Sequence, residues 1–442
     1  MAITAPHSLR DSDMHGKTTL VQQLGRPIRV LLLLSSLHGG GAERVAVHLM
    51  DRLDPARFDI RMGLLRAAGP YVNQVDMERV LVAPDGEEHF NYDGPNSAQY
   101  TLGKVLGGAV RGPLAFRRMI RETRADVVMS FLKGTNLLAW LALSGMVSRR
   151  PKWIAREGNN VLAVVDEESP NRLAAGASLA ITKRAYRAAD VVLANSSDMA
   201  GGLVDDLGLD PANMRMINNP IAIETIRAQL DEPLPGAPNR PYILTAGRLE
   251  YQKAHEVLIR AFARSGLWRS HALVILGKGS HLARLHVLAA GLGIGECIRF
   301  IGFVANPYAW MARADLFVLP SRWEGFPTVA AEAMAAGAPL LLSDCKFGPR
   351  DVIEPGLSGE LVPVDDVAAL ADKMAQLIAD PARREAMSKA GAERVARFDI
   401  EPMVEQYADL FEELALQPAA EPGNALTGAR PTERREADRA SA

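Results

Sequence analysis

Two glutamates eight positions apart, Glu324 and Glu332, bracket Gly325-Phe326-Pro327-Thr328 and the start of a helical pattern. A carboxylate can accept two hydroxyls at once, so such a pair suits a sugar and a ribose. Backbone N–H groups near Thr328 and Val329 point at whatever precedes that helix. The plain alternative is two exposed glutamates. It is weakened because Glu332 falls among Ala, Met and Gly in a stretch that otherwise reads as buried. A second constellation is Gly247-Arg248-Leu249-Glu250-Tyr251-Gln252-Lys253. Two cations at a strand end and helix start can clamp a diphosphate; taken alone, a solvated charged turn explains them better.

The remaining signals are glycine-rich. Gly39-Gly40-Gly41 precedes a helical pattern, where the backbone can approach a ligand and the helix N-terminus attracts anions. It lacks the G-x-G-x-x-G dinucleotide fingerprint, and the less favoured alternative is a tight strand-to-helix turn. Gly277-Lys278-Gly279 and Gly302-Phe303-Val304 either line a pocket for a base and its phosphates or are simple turns. Ser343-Asp344-Cys345 with Gly348-Pro349-Arg350 either shapes the sugar side of a site or is structural. Arg156-Glu157-Gly158-Asn159-Asn160 follows a strand and is a candidate contact to a sugar or acceptor.

These residues need elements to hold them. Ile28–Leu34 is an apolar run that suits a buried parallel strand. Asp126–Ser130 and Asp190–Ala194 repeat the theme. The second half alternates more clearly, with strands at Tyr242–Ala246, Ala272–Leu276, Ile298–Ile301, Leu316–Leu319 and Pro339–Ser343, and helices between them, such as His255–Ser265. This alternation predicts parallel sheets with helices on both faces. Ligands of such sheets bind at the carboxyl ends of the strands, where most of the polar signals fall.

With 442 residues, of which about 390 read as ordered, the chain is too long for one such sheet, and two α/β domains are expected. The predicted organisation is an N-terminal arm over 1–25, a first domain over 26–220, a Pro-rich linker over 221–240 and a second domain over 241–398. A helix over 399–416 is expected to pack back on the first domain, and 417–442 to form a loose tail. Fifty basic and 52 acidic side chains argue against a dedicated nucleic-acid binder. Two cysteines, Cys297 and Cys345, make neither a disulfide scaffold nor a four-thiolate zinc site. No apolar stretch reaches membrane-spanning length, and the first 25 residues lack a signal-peptide core. A cytoplasmic setting is expected.

The Glu324-x7-Glu332 pair with Gly-Phe-Pro resembles the hallmark of retaining GT-B glycosyltransferases of family 4, the glycosyl transferases group 1. Gly247-Arg248-Leu249 with Gln252-Lys253 is similar to that family's diphosphate-binding segment. The Gly39–Arg44 loop resembles the glycine-rich acceptor-side loop of its polysaccharide-assembly members. Ser343-Asp344-Cys345, Gly348-Pro349 and Gly356-x-x-Gly359 look like the branch that builds lipid-linked or surface glycans. The resemblance covers about residues 27–415. It implies two Rossmann-like doubly wound domains facing a cleft, with a nucleotide sugar, by family resemblance a UDP sugar, held mainly by the second.

Under that resemblance Arg248 and Lys253 neutralise the leaving diphosphate and Glu332 binds the ribose. Glu324 touches the donor sugar, with the main chain of Gly325, Phe326, Pro327 and Thr328. Gly277, Lys278, Gly302 and Phe303 line the donor pocket. Gly39, Gly40, Gly41 and Arg156 face the diphosphate or acceptor. It implies a metal-independent reaction without a cofactor, in which the leaving diphosphate acts as base. Asp11-Ser12-Asp13 is discounted as a metal motif. Many members carry a His after the strand at Val127–Ser130; here the chain reads Ser130-Phe131-Leu132-Lys133-Gly134, and Lys133 or Asn136 are candidates for its place. Ala254 stands where Gly is common.

Residues 1–220 hold 26 basic and 23 acidic side chains. Arg111, Arg117, Arg118, Arg121 and Arg124 concentrate the excess around one predicted helix, interleaved with apolar residues. Such a surface either docks on anionic lipid or is a solvated helix face. The expected acceptor is a lipid-linked glycan or a polysaccharide, with a peripheral position at the inner face of the cytoplasmic membrane if the basic surface docks there. Two further readings are a nucleotide-sugar epimerase of GT-B architecture, which needs no acceptor, and a non-catalytic sugar-nucleotide-binding protein.

Overall fold

The apolar runs form strands because each is flanked by helices that bury both of its faces. The computed structural model describes residues 24–84, 102–144, 146 and 149–417. The arm over 1–23, the Asp11-Ser12-Asp13 motif and the tail over 418–442 lie outside the described residues.

Among the described residues seven strands make the first sheet: β1 Ile28–Leu34, β2 Phe58–Leu64, β3 Val80–Val82, β4 Val127–Phe131, β5 Lys152–Arg156, β6 Val191–Ala194 and β7 Met214–Met216. Their order is 3-2-1-4-5-6-7, all parallel. Six strands make the second: β8 Tyr242–Ala246, β9 Ala272–Leu276, β10 Ile298–Gly302, β11 Leu316–Leu319, β12 Leu340–Ser343 and β13 Glu360–Val362. Their order is 10-9-8-11-12-13, again all parallel. Both sheets are doubly wound. The strand order reverses between β1 and β4 in the first and between β8 and β11 in the second, and these switch points are where such sheets hold ligands.

The segment read from sequence as a linker is partly helical. Ile223–Ala228 forms a short helix whose Ile223 and Ile226 are buried in the core of the second domain. The local prolines begin only at Pro233, so they did not forbid it. The chain crosses between domains twice, side by side: the Ile221 N–H donates to the Phe398 carbonyl at 2.8 Å. The helix Ile400–Leu416 then packs on the first sheet, burying Tyr407 and Phe411 with β1 and β2 residues. Arg57 ties it down through Glu405 and Glu412. Among the described residues no helix is long and apolar enough to cross a membrane.

Candidate active site

The site forms where the switch point of the second sheet faces the first domain. After β8 the chain turns through Gly247-Arg248 into a short 3-10 turn, Tyr251–Lys253. After β11 it runs through Pro320 and Ser321 to Glu324 and then the helix Thr328–Ala335. Lys253 Nζ lies 2.6 Å from Glu324 Oε1, and both side chains are largely buried. The pair therefore spans the switch point. Lys253 has further N–H groups for another acceptor. Arg248 is exposed and, among the described residues, is held by a single 3.1 Å bond to Gln252, so its guanidinium is available to an incoming anion. The Arg248 carbonyl accepts a bond from buried His255 at 3.2 Å; a carbonyl can only accept, so His255 carries its proton on Nε2.

Glu332 sits on the fifth residue of its helix and is buried. Its neighbours on that helix are Ala and Met, so burial pushes its carboxyl up, while Arg44 pulls it back. Arg44 comes from the first domain. It lies in the first turn of the helix Gly41–Arg52 and bonds Glu332 Oε1 directly. Its remaining N–H groups donate to Tyr71 and to Tyr308, the latter at 2.5 Å. Sequence reasoning passed over Arg44, Tyr71 and Tyr308. One signal pointed at Arg44: a cation in the first turn opposes the helix dipole and needs a partner from elsewhere.

The glycine loop faces the same place. Gly39 adopts a left-handed φ of 99° and Gly40 caps the helix. A methyl group on Gly41 would lie 2.9 Å from Thr328 Oγ1, so the two helix N-termini meet there. Asn219 Nδ2 donates to the same Thr328 oxygen at 2.7 Å. Glu43, folded back over Gly40, is a further missed residue. Burial raises its carboxyl above the ordinary range, against the opposing charges of Arg248 and Arg156.

Other candidates take different places. Phe326 is buried edge-to-face on Phe398, with ring centres 5.2 Å apart, and Pro327 caps the Thr328 helix. The Gly277 N–H donates to the Gly302 carbonyl at 2.8 Å, which joins those two strand ends, while Lys278 and Phe303 stand exposed. Arg156 is enclosed, and among the described residues its Nη1 has no hydrogen-bond partner. It is 1 % exposed, bonded to Asn219 and Tyr407 and lying over Phe131. Asn136 is likewise spent inside the first domain, on Ser130, Tyr186 and the Arg156 carbonyl. Lys133 pairs with Glu168. Asn136 and Arg156 found buried partners within the fold, and Lys133 is held by Glu168 at the surface. Burial pushes the Cys345 thiol up to about 12, so it stays protonated.

Two doubly wound domains with charged residues converging across their cleft define a GT-B architecture. Solved structures share it: Anabaena HepE in complex with UDP-glucose aligns with a TM-score of 0.68 at 20% identity, covering 87% of this chain and 100% of that one. The chain belongs to the glycosyl transferases group 1 family. That family's model matches residues 227–394, and the glycosyl transferase 4-like domain matches 40–220. Similar curated proteins include the N-acetylgalactosamine-N,N'-diacetylbacillosaminyl-diphospho-undecaprenol 4-alpha-N-acetylgalactosaminyltransferase of Campylobacter jejuni, at 27% identity over 83% of this chain and 95% of that protein. Another is D-inositol 3-phosphate glycosyltransferase 1 of Catenulispora acidiphila, at 31% identity over 67% and 72%.

Proposed function

We propose that the protein transfers a hexosyl or N-acetylhexosaminyl group from a UDP sugar to a lipid-linked or polysaccharide acceptor, with retention of anomeric configuration. The observation that carries this is the Lys253–Glu324 pair at the switch point of the second sheet, in the loop that leads into the Glu332 helix, whose first residue Thr328 lies opposite Gly41. Arg248 and the free N–H groups of Lys253 receive the diphosphate and stabilise its charge as the glycosidic bond breaks. Glu332 accepts the ribose hydroxyls. Glu324, oriented by Lys253, accepts hydroxyls of the donor sugar. The acceptor hydroxyl attacks from the face the diphosphate leaves, and a diphosphate oxygen takes its proton. Fixed cations and helix N-termini carry the charge, so the reaction proceeds without a metal ion.

The similar Campylobacter enzyme is named for a diphospho-undecaprenol acceptor and HepE was solved with UDP-glucose; both support the proposed substrate classes. The exposed cations of the helix Leu102–Thr123 support docking at an anionic membrane face, where a lipid-linked acceptor is met. The test is incubation with a panel of UDP and GDP sugars, a polyprenyl-diphosphate glycan extract and EDTA. Transfer from a UDP sugar with an unchanged anomeric centre is expected. Isomerised donor without transfer, binding without turnover, or an inverted product overturns the reading.

A further inference from the structure

Glu332 is a second-domain residue, yet its strongest partner belongs to the first. Arg44 Nη1 bonds Oε1, and among the described residues no protein donor reaches Oε2. The guanidinium is itself fixed from both sides. Tyr71 of the first domain accepts from Nε at 3.0 Å, and its ring lies under the guanidinium with the centre 5.3 Å away. Tyr308, on the second-domain helix Tyr308–Ala312, accepts from Nη1. A planar fork held at three points occupies one carboxylate oxygen and leaves the other without a protein donor among the described residues. Around it the helix offers alanine and methionine, which cannot orient a carboxylate.

We propose that Arg44 is a positioning residue for the donor's ribose: it presents Glu332 Oε2 to the ribose hydroxyls, so the nucleotide subsite is complete only when the first domain is docked. This rests on the reading of Glu332 as the ribose acceptor. Buried without its cation, the Glu332 carboxyl would turn or take up a proton, and a protonated carboxyl accepts poorly. Arg44 is assigned no contact with nucleotide or sugar. Its effect passes through Glu332 and couples nucleotide binding to closure of the cleft.

The test is calorimetric binding of UDP and of 2',3'-dideoxy-UDP to the full-length protein and to Arg44→Ala, Arg44→Lys, Glu332→Gln and the Arg44→Ala/Glu332→Gln pair. Arg44→Ala is expected to weaken UDP about tenfold, the scale of one charge-assisted hydrogen bond, and dideoxy-UDP less than twofold. Arg44→Lys recovers part of the loss. In the Glu332→Gln background, removing Arg44 adds nothing. Equal losses on both ligands, or tighter UDP binding in Arg44→Ala, overturn the proposal. If Glu332→Gln itself leaves the preference for UDP over dideoxy-UDP intact, the ribose reading fails instead; if it abolishes that preference while Arg44→Ala keeps it, only the role of Arg44 fails.

Discussion

The Gly158 carbonyl faces Gly325 so closely that no side chain fits between them: a methyl group on Gly325 would lie 2.1 Å from that oxygen. Gly158 belongs to the first domain and Gly325 to the loop beside Glu324, so the glycine sets how near the domains come. Gly325→Ala is therefore expected to hold the cleft open. Small-angle scattering should show a larger radius of gyration. Transfer should fall about 100-fold, the cost of displacing reacting groups by roughly an ångström. An unchanged scattering profile with full turnover would contradict this.

Lys253 and Glu324 form a pair in which each charge depends on the other. Removing one member of a buried pair leaves an uncompensated charge, at a cost of about 3–5 kcal/mol. Lys253→Met should lose stability on that scale in urea titration. Adding Glu324→Gln should restore much of it, since no buried charge then remains. Neither variant should transfer sugar. Additive losses in the double variant would show that the two side chains do not act as a pair.

Phe347 of the second domain is buried among first-domain residues, against Gly202. It adopts a left-handed φ of 71°, unfavourable for a bulky side chain, which the packing must offset. Beside it Lys346 pairs with Asp206 at 2.9 Å. Phe347→Ala should lower stability by about 3 kcal/mol and loosen the domains' joint unfolding, visible by calorimetry as an earlier, broader transition. A wild-type melting profile would rule out Phe347 as an interdomain anchor.

The strands were legible because parallel strands buried on both faces are short apolar runs, as Ile28–Leu34 and Tyr242–Ala246 are. Glu324 and Glu332 were legible because carboxylates among glycine, alanine and methionine need a reason to be there. Arg44 was not, because its partner lies 288 residues away and only the docked domains bring them together. Arg156 misled for the same reason: a cation after a strand looks available until Asn219 and Tyr407, from distant elements, are seen to enclose it. Ala254 looked like a small departure at a helix start, yet it takes the left-handed conformation, φ 48°, for which glycine is better suited.

His255 gives the protein a pH dependence of known sign. Burial is the main cause that lowers its pKa to about 4. Between that value and the ordinary 6.5 the unfolded chain binds the proton and the folded one does not, so stability is full above about pH 6.5 and falls as pH drops toward 4. His255→Gln keeps a donor for the Arg248 carbonyl and removes the titration. In urea titrations at pH 7.5 and 4.5, the wild type should lose about 2–3 kcal/mol more than the variant. Carboxylate titrations such as that of Asp126 are common to both and cancel. Parallel pH slopes would exclude His255 as the source.

The basic helix Leu102–Thr123 is narrower as a docking face than its four arginines and the adjoining Arg124 suggest. Arg117 is turned inward, donating to the Ala142 and Leu141 carbonyls. Arg118 is only loosely paired with Glu122, at 3.8 Å. Exposed Arg111, Arg118, Arg121 and Arg124 share the surface with exposed Val110 and Leu114. Apolar side chains among cations suit a headgroup boundary, with about 1 kcal/mol per cation near an anionic surface. Reversing two charges in Arg118→Glu/Arg121→Glu should remove that attraction and add repulsion, leaving the buried face of the helix untouched. Wild-type protein should co-float with phosphatidylglycerol vesicles at 150 mM salt and the variant should stay at the bottom of the gradient, with unchanged transfer to a detergent-dispersed acceptor. Equal flotation of the two proteins, or none of the wild type, would mean that this face does not meet the membrane.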